Sequence, residues 1–462
     1  MIDISEQLEF NLLEEEKDIV VTNNMNDVVV KELDKLFNGK LKETTTKPFT
    51  TLHTFGKIKA KRVHVVNYEA LNKECKLAKI YKAIAELKGD NLVLVDTFEN
   101  ENYLKIMQDL SEHILTLNYQ FNTFKDKEDK DKDFFYYGTK GIREAVTKGY
   151  VYGDQVNKCR DLVNTPYNYL NAIDLAEYAK KLEKYENVEV KIYDKKQIEE
   201  MNMGAFLGVN KGSLDEPRLI QINYKGKDEF VDPVALVGKG VMYDTGGYSL
   251  KTPVSMPGMK VDMAGAAAVV SAIEAIARLQ LKANVMAIVA ATDNRIGDGA
   301  IVPDDILTSA SGKTIEVIST DAEGRLTLAD AVWFAQKEGA KKIIDAATLT
   351  GAMVAALGTE FTGAFTNDAD FYKEFKAATA ITKEKIWEMP ITKGYHDELK
   401  SEVADMRNKG GRLAGASQAA AFIEKFIDKD TKWIHLDIAG TASKQKGGAT
   451  GVMVKTFTEL FY

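Results

Sequence analysis

Residues 234–243 read VALVGKGVMY, an apolar run in which Lys239 is the only charged residue. A second apolar run, 284–291, reads NVMAIVAA, and residues 264–279 between the two have an alanine-rich helical pattern. Continuous apolar strands separated by helices are typical of a mainly parallel sheet that is covered on both faces. The sequence therefore predicts an α/β fold whose central sheet is mainly parallel and flanked by helices.

The alternation of strands and helices begins near residue 168. Further predicted strands cover 188–192, 218–224, 314–318, 342–346 and 433–438, and further predicted helices cover 172–184 and 326–337. In sheets of this kind, ligands bind beyond the carboxyl ends of the strands. Asp244, Asp293 and Asp345 lie near such ends. We therefore expect a binding site at this edge of the sheet.

The chain is too long, at 462 residues, for one ordinary hydrophobic core, so two domains are expected. In the first part, predicted strands cover 19–21, 28–30, 62–66 and 92–95, and predicted helices cover 68–87 and 102–115. A charged run at 125–133 predicts a solvated loop, and a helical pattern at 139–163 stops before Pro166. We predict a smaller N-terminal α/β domain over 1–135, a linker helix over 136–165 and a larger domain over 166–462.

The composition of the chain indicates its cellular compartment and limits the classes of binding partner. The net charge of −8 gives no general reason to expect nucleic acid or an anionic membrane as a partner. No apolar run reaches the roughly 18–20 residues that span a bilayer, and the N-terminus lacks the pattern of a signal peptide. Two cysteines, Cys75 and Cys159, fit a reducing compartment. The sequence predicts a cytoplasmic protein without a membrane partner.

Charged residues collect in two stretches of otherwise small or apolar residues. Residues 319–326 read STDAEGRL, and the upstream stretch contains Lys239, Asp244, Lys251 and Asp262. Charges in apolar surroundings are costly unless they are paired or bound to metal. This pattern therefore predicts a functional site.

Two patterns typical of phosphate-binding loops are incomplete. Residues 238–240, GKG, lack the third glycine of a dinucleotide loop because Tyr243 stands in its place. Residues 312–314, GKT, lack the earlier glycine of a phosphate loop, where the chain has Leu307. Neither stretch predicts nucleotide binding.

The chemistry of the charged residues favours a metal site. The five histidines, at 53, 64, 113, 396 and 435, do not have the spacing of a helical zinc motif. Ligands would then be mostly carboxylates, which suit Mg²⁺ or Mn²⁺, and also Zn²⁺ when two ions share bridging ligands. A desolvated lysine can lose its proton and serve as a neutral ligand, so Lys239 is a candidate too.

Residues 320–323 also fit a second interpretation, a helix capping box with Thr320 as the N-cap and Glu323 three residues later. Gly324 argues against it, since glycine inside a first turn costs about 1 kcal/mol relative to alanine. Such a glycine is better explained by a backbone that closely approaches an ion or a substrate.

These motifs resemble those of the leucyl aminopeptidase family, the cytosolic exopeptidases that use two metal ions. The family signature Asn-Thr-Asp-Ala-Glu-Gly-Arg-Leu corresponds to 319–326, with Ser319 in place of the first asparagine. The upstream lysines and aspartates match in type and spacing. Similar blocks occur at 164–166, 347–352, 408–415 and 436–441. The resemblance covers about 160–462, so 166–462 would be the catalytic domain, and it is faint over the first 150 residues.

The resemblance implies two divalent ions, drawn from Zn²⁺, Mn²⁺ and Mg²⁺, with a hydroxide bridging them. Lys239, Asp244, Asp262 and Glu323 would hold the tighter ion. Asp244, Asp321 and Glu323 would hold the second, so that Asp244 and Glu323 bridge. This arrangement would hydrolyse peptides that have a free N-terminus.

The resemblance also assigns two catalytic residues, and the chain departs from the family at two positions. Lys251 would stabilise the oxyanion of the tetrahedral intermediate. Arg325 would anchor a bicarbonate ion that acts as general base. Ser319 lies beside a ligand and could tune metal affinity, whereas Asp304 stands where the family usually has glycine.

The last implications concern the substrate and the assembly. The positions of the family's first side-chain pocket correspond to Met259, Thr348, Gly351, Ala439 and Ala442. Their apolar character would favour leucine- or methionine-like N-terminal residues. The resemblance further implies a homo-hexamer, whereas a role for nucleic acid has no support in the acidic composition.

Two other functions remain open on the sequence alone. One is an intact fold without turnover that serves as a scaffold or a DNA-binding oligomer, against which the complete set of ligand and catalytic residues argues. The other is a different dimetal hydrolase, such as a phosphoesterase. Release of leucine or of phosphate from model substrates would distinguish the latter from an aminopeptidase.

Overall fold

The computed structural model describes residues 3–5, 11–43, 46–126, 133–138, 141–444 and 448–462. The chain divides into two compact units, Met1–Asn157 and Lys158–Tyr462. Each unit has its own sheet, and they are described separately. The predicted boundaries at 135 and 166 lie on either side of this division. Most of the predicted loop at 125–133 lies outside the described residues.

The N-terminal unit contains a six-stranded sheet of order β1-β6-β5-β2-β4-β3, in which only the β3–β4 pair is antiparallel. Its strands are β1 (Asp3–Ser5), β2 (Asp18–Thr22), β3 (Phe49–His53), β4 (Arg62–Val66), β5 (Asn91–Leu94) and β6 (Phe134–Tyr137). Its helices are α1 (Val28–Leu36), α2 (Glu74–Ala85) and α3 (Tyr103–Asn118), and α4 (Arg143–Asn164) begins in this unit. Short 3₁₀ helices cover Tyr68–Asn72 and Val95–Phe98.

Most predicted elements of this unit are present, but the strand predicted at 28–30 is wrong. Those residues begin helix α1, because the side chain of Asp27 accepts a hydrogen bond from the backbone amide of Val30 and caps the first turn. Val30 and Leu33 are buried at helical spacing. The helix predicted at 68–87 is divided, since Lys73 has extended backbone between the 3₁₀ turn and α2.

The C-terminal unit is larger. Its strands are β7 (Val188–Tyr193), β8 (Arg218–Lys225), β9 (Val234–Asp244), β10 (Asn284–Asn294), β11 (Ile306–Thr308), β12 (Thr314–Glu316), β13 (Lys342–Ala347), β14 (Thr362–Thr366), β15 (Ile386–Glu388), β16 (Met406–Arg407), β17 (Lys432–Asp437), β18 (Ser443–Lys444) and β19 (Gly448–Ala449). Its helices are α5 (Ala172–Lys180), α6 (Lys195–Glu200), α7 (Gly204–Asn210), α8 (Ala264–Arg278), α9 (Gly324–Lys337), α10 (Gly351–Leu357), α11 (Ala369–Thr382), α12 (Lys393–Asp397), α13 (Gly415–Glu424) and α14 (Val454–Glu459). Two 3₁₀ helices cover Lys181–Lys184 and Met259–Met263.

The central sheet has eight strands in the order β15-β14-β17-β13-β9-β10-β8-β7. Strands β17, β13, β9 and β10 run parallel to one another in the middle, whereas β14 and β8 join this group antiparallel. The predicted α/β fold with a mainly parallel central sheet is confirmed. In the part of the chain that the structure describes, no helix combines the length and apolar character needed to cross a bilayer.

Helices α8 and α9 cover opposite faces of the sheet at β9. A Cβ atom added to Gly238 would lie 2.6 Å from the backbone of Ala266 in α8, so this side of β9 faces α8. Val237 instead shares a hydrophobic core with Leu326 of α9. Successive side chains of a strand point to opposite faces, so Lys239, two residues after Val237, lies on the α9 side.

Candidate active site

Strand β9 carries two of the predicted ligands at the carboxyl-terminal part of the central sheet. Lys239 lies within the strand and Asp244 is its last residue, and both side chains are buried. The 3₁₀ helix before α8 supplies Asp262, and the start of α9 supplies Glu323. Strand β9, the 3₁₀ helix before α8 and the start of α9 therefore each supply side chains to one cluster.

Lys239 is paired with two carboxylates. Its Nζ atom lies 2.7 Å from Asp262 Oδ1 and 2.9 Å from Glu323 Oε1. It also donates a hydrogen bond of 3.1 Å to the backbone carbonyl of Thr348, and the hydroxyl of Thr348 donates to Asp262 Oδ1 at 2.9 Å. The side chain of Lys239 is only 3% exposed, so these contacts replace nearly all of its hydration.

Gly324 makes room for this lysine. A Cβ atom at residue 324 would lie 2.2 Å from Cε and 2.6 Å from Nζ of Lys239. The predicted close approach at this glycine is therefore to a candidate metal ligand. Helix α9 begins at Gly324 with Glu323 at the N-cap position, so the alternative interpretation of Thr320 as the N-cap is wrong. Thr320 instead donates to the Gly246 carbonyl and accepts from the Ser249 amide.

Asp244 accepts hydrogen bonds from neutral donors at one of its oxygens and contacts the ammonium group of Lys251 with the other. Its Oδ1 atom accepts hydrogen bonds of 2.8 Å from the Gly246 amide and from Asn294 Nδ2. Gly246 has a φ angle of 86°, a left-handed conformation that favours glycine. The Oδ2 atom lies 2.7 Å from Lys251 Nζ.

Lys251 joins Asp244 to Asp321. Its Nζ atom lies 2.5 Å from Asp321 Oδ1, so one ammonium group contacts two of the three carboxylates that were predicted to hold the second ion. Asp321 is the most exposed of the predicted ligands, with 38% of its side chain accessible. The candidate site thus has a buried part around Lys239 and an accessible part around Lys251.

Arg325 lies in the first turn of α9 and is 6% exposed. Its Nη1 atom donates a hydrogen bond of 2.7 Å to the backbone carbonyl of Asn408, while its buried Nε atom has no hydrogen-bond partner among the described residues. Asn408 is fully buried. Its side chain contacts the 318–322 segment, accepting from the Ile318 amide at 2.8 Å and donating to the Ser319 carbonyl at 2.7 Å.

The ionisation of the cluster reflects burial opposed by pairing. Burial raises the pKa of Asp262 well above its usual value, and that of Asp244 is raised by burial and by the charge of Glu323. For Glu323, burial acts in the same direction, but Lys239 and Lys251 outweigh it and its pKa is lowered. Burial acts to lower the pKa of Lys239, yet Asp262 and Glu323 raise it, so the ammonium form is stabilised.

These residues fit a divalent cation. Asp244, Asp262 and Glu323 each offer a carboxylate oxygen, and the three oxygens lie within 4.8 Å of one another. Glu323 Oε2 is buried without a hydrogen-bond partner in the described part of the chain, an arrangement that costs free energy unless a ligand binds. Oxygen donors with one amine suit Mn²⁺, Mg²⁺ or Zn²⁺.

A cavity of about 650 Å³ opens beside this cluster. Its lining includes every residue predicted as a ligand or catalytic group, namely Lys239, Asp244, Lys251, Asp262, Asp321, Glu323 and Arg325. Of the five residues predicted for the side-chain pocket, Met259, Thr348, Gly351 and Ala439 also line it. The described residues that line the cavity do not include Ala442, which is buried and whose carbonyl accepts from Thr450.

Two aspartates that the sequence places near strand ends lie outside the cavity lining among the described residues. Asp345 is in the middle of β13 and is fully buried. Its carboxylate lies 2.6 Å from both His435 Nδ1 and Trp433 Nε1. Asp293 accepts a hydrogen bond from Ser213 and pairs with Arg295 at 2.7 Å. Both have structural partners, so the expectation of a shared site holds for Asp244 alone.

The comparisons with known proteins agree with this geometry. A model of the cytosol aminopeptidase family, catalytic domain, matches residues 157–458. The structure is similar to that of a mutant of tomato leucine aminopeptidase, with a TM-score of 0.84 and 30% sequence identity, over 100% of this chain and 96% of that chain. The chain therefore belongs to the cytosol aminopeptidase family. It is an aminopeptidase of the leucine aminopeptidase type, a metallo-exopeptidase, and the predicted resemblance is confirmed.

Sequence reasoning missed the two asparagines that hold the site. Asn294 lies opposite Asp244 in the register of β10 and β9 and also donates to the Thr320 carbonyl at 3.0 Å. The sequence pattern indicated its neighbour Asp293 instead, because Asp293 is a carboxylate near the end of a predicted strand. Asn408 lies in the block 408–415, which resembled the family, but nothing in the sequence indicates that it contacts residues 318–322.

Proposed function

We propose that this chain removes N-terminal residues from peptides with the help of two divalent metal ions, and that it prefers leucine-like residues. The observation that carries the proposal is the buried group of Asp244, Asp262 and Glu323 beside the cavity, with Lys239 among them. Such a concentration of buried carboxylates is costly unless cations neutralise it.

The ligand sets follow the family resemblance. Lys239, Asp244, Asp262 and Glu323 would hold the tighter ion, and Asp244, Asp321 and Glu323 the second. Bound there, Zn²⁺, Mn²⁺ or Mg²⁺ would polarise the scissile carbonyl and lower the pKa of a shared water. The raised pKa of Lys239 means that loading of the tighter ion has to release a proton from its ammonium group.

Lys251 would stabilise the oxyanion that develops on the scissile carbonyl. Its pKa is raised, because Asp244 and Asp321 outweigh the effect of burial, so it stays cationic at neutral pH. It lines the cavity with 16% of its side chain exposed, which leaves it accessible to substrate. A fixed cation at the site of developing charge is a strong catalytic device.

Arg325 would anchor a bicarbonate ion that receives and returns the proton of the attacking water. Burial lowers its pKa to about 10, and the guanidinium is therefore still charged at neutral pH. One of its nitrogens is held by the Asn408 carbonyl, whereas its Nε atom has no partner among the described residues. A planar cation with free donors suits a planar oxyanion.

The substrate pocket would combine Met259, Thr348, Gly351 and Ala439, all of which line the cavity. Ala442, the fifth position that the resemblance implies, is buried. Apart from the Thr348 hydroxyl, which donates to Asp262, these side chains are apolar or absent. A leucine or methionine side chain would bury its surface here without leaving a polar group unpaired.

We also propose a cytoplasmic homo-hexamer. The support is the family to which the chain belongs and the presence of two cysteines, Cys75 and Cys159, without a disulfide bond between them. Light scattering at micromolar concentration tests the assembly, and a monomer of 51.3 kDa would contradict it.

The decisive experiment compares Leu-p-nitroanilide with its N-acetyl form at saturating Mn²⁺ and then Zn²⁺. The free amine of the substrate is needed to place the scissile bond, and a displacement of about 1 Å can cost 10²-fold in rate. We therefore expect the acetylated substrate to be essentially inert. Comparable cleavage of both would contradict the proposed requirement for a free N-terminus.

Two further assays separate the alternatives. Bis-p-nitrophenyl phosphate tests for a dimetal phosphoesterase and should remain intact. Duplex DNA at physiological salt tests the scaffold alternative and should not bind, since the chain has a net charge of −8. Release of p-nitrophenol from the phosphodiester, or DNA binding, without peptide cleavage would contradict the proposal.

A further inference from the structure

One side of the cavity carries positive charge that the proposed mechanism does not use. Lys409 and Arg412 line the cavity, on the segment between β16 and α13. Both side chains are exposed. Neither has a hydrogen bond or an ion pair with any residue of the described chain, so their donors are available to a ligand.

This segment is held at both ends by buried amide side chains. Asn408, directly before Lys409, is fixed to the 318–322 segment and receives the hydrogen bond from Arg325. At the other end Gln418, 3% exposed, donates from Nε2 to the Leu413 carbonyl at 2.7 Å. The two cations therefore project from an anchored loop beside the candidate catalytic arginine.

The charges that line the cavity are divided into two groups. All of its carboxylates are proposed metal ligands, and two dications would neutralise them. Lys251, Arg325, Lys409 and Arg412 would then remain as cations, in a protein that is acidic as a whole. A cavity lined by one sign of charge attracts the opposite charge.

We propose that Lys409 and Arg412 bind a carboxylate on the leaving portion of the substrate, and that the enzyme therefore prefers short peptides whose C-terminal carboxylate reaches this side of the cavity. This inference rests on the proposed aminopeptidase function. A zwitterionic dipeptide has its amine at one end and its carboxylate at the other. The amine would bind at the metal centre, so the carboxylate would bind to Lys409 and Arg412. The guanidinium of Arg412 suits bidentate carboxylate binding.

The test compares Leu-Gly with Leu-Gly-amide on the metal-loaded enzyme. For two exposed cations we expect kcat/KM to favour the free acid by about five- to tenfold, mostly through KM, because such pairs are screened by solvent. The preference should decrease as salt rises from low to physiological concentration. In the Lys409→Met, Arg412→Met double variant, the ratio of the two substrates should fall to about one.

Two comparisons make the result specific. Lys429→Met removes an exposed lysine that is outside the cavity lining among the described residues, and it should keep the wild-type ratio. Leu-Asp-amide against Leu-Asn-amide separates a side-chain carboxylate from a C-terminal one as the source of the charge. A preference for Leu-Gly over its amide that the double variant abolishes supports the site, whereas a preference confined to the Leu-Asp-amide pair would contradict recognition of the C-terminal carboxylate.

Equal kcat/KM for acid and amide in the wild-type enzyme would overturn the inference, as would a preference that the double variant retains. If neither Leu-Gly nor its amide were cleaved, the proposed aminopeptidase function would be contradicted instead. The two failures are therefore distinguishable in one set of assays.

Discussion

Two buried polar clusters lie on neighbouring strands of the same sheet, and they differ in where they stand along those strands. Asp345 pairs in register with Val237, in the middle of β13 and β9, and its carboxylate is enclosed by His435 and Trp433. Lys239 lies two residues further along β9, and its cluster faces the cavity. The two positions differ by only two residues in register, yet among the described residues only Lys239 lines the cavity.

The clusters also differ in their balance of charge. Asp345 is one carboxylate with two donors, and it raises the pKa of His435 although burial acts to lower it. Around Lys239 and Lys251, four carboxylates share two ammonium groups, and Glu323 Oε2 has no partner among the described residues. Each oxygen of the Asp345 carboxylate has a donor, although His435 Nε2 has no hydrogen-bond partner among the described residues. The second cluster instead has more buried carboxylates than cations, which indicates a cation site.

The largest effect is expected when the second cluster loses a bridging carboxylate. Glu323→Gln and Asp244→Asn keep the shape of the side chain but remove a charge that both ions would share. We expect kcat to fall by more than the roughly 10²–10³-fold that one oxyanion donor contributes, and metal content to fall below two ions per chain. Atomic absorption after gel filtration measures the latter. Two tightly bound ions at near-normal rate would refute the bridging assignment.

A smaller loss is expected at the accessible edge of the same cluster. Lys251→Met should lower kcat about 10²–10³-fold, the usual contribution of an oxyanion-stabilising group. Metal content should not decrease, because Lys251 competes with a cation for Asp244 and Asp321. Lys251→Arg is the matched control that keeps the charge, and it should retain more activity than the methionine variant. A defect confined to KM would assign Lys251 to substrate binding.

Gly324 allows a test that leaves all ligands in place. Gly324→Ala puts a methyl group where the end of the Lys239 side chain lies, so the lysine has to move. Loss of orientation of a ligand typically costs about 10–100-fold in metal affinity. Activity should therefore require more added metal and recover when metal is raised. Gly394→Ala is the control, since its Cβ position has only the Thr392 hydroxyl nearby, at 3.7 Å. Unchanged metal affinity in the Gly324 variant would show that Lys239 is not a ligand.

The difference between the two clusters also explains how far the sequence could be interpreted. Apolar runs such as 234–243 and 284–291 specify the parallel strands, because only a doubly covered sheet buries them. Asp244 ends such a run, whereas Asp345 lies within another. Their different environments depend on register and on side chains distant in sequence, which for Asp345 are Trp433 and His435. Periodicity does not carry that information.

Competition between local sequence patterns and other contacts explains two differences between the predicted and the observed elements. The three valines 28–30 favour a strand by propensity, but the cap from Asp27 and the burial of Leu33 favour a helix. The capping pattern at 320–323 is present in the sequence, but the hydroxyl of Thr320 is engaged by the loop at 246–249. In both places, contacts that the sequence pattern does not show decide the outcome.

The smallest effect on catalysis is expected at the cluster of Asp345, His435 and Trp433. Asp345→Asn leaves a donor where His435 and Trp433 both donate, and breaking a buried pair in this way costs about 3–5 kcal/mol of unfolding free energy. Rates per folded molecule should stay near wild type, because neither Asp345 nor His435 lines the cavity among the described residues. Glu374→Gln is the control, since Glu374, in helix α11, pairs at the surface with Lys342 of strand β13, which also carries Asp345. The loss of this exposed pair should cost less than about 1 kcal/mol. Urea titration with activity measured in parallel gives both quantities. A loss of kcat without loss of stability in the Asp345 variant would mean that this cluster also serves the reaction, and the distinction between the two clusters would then fail.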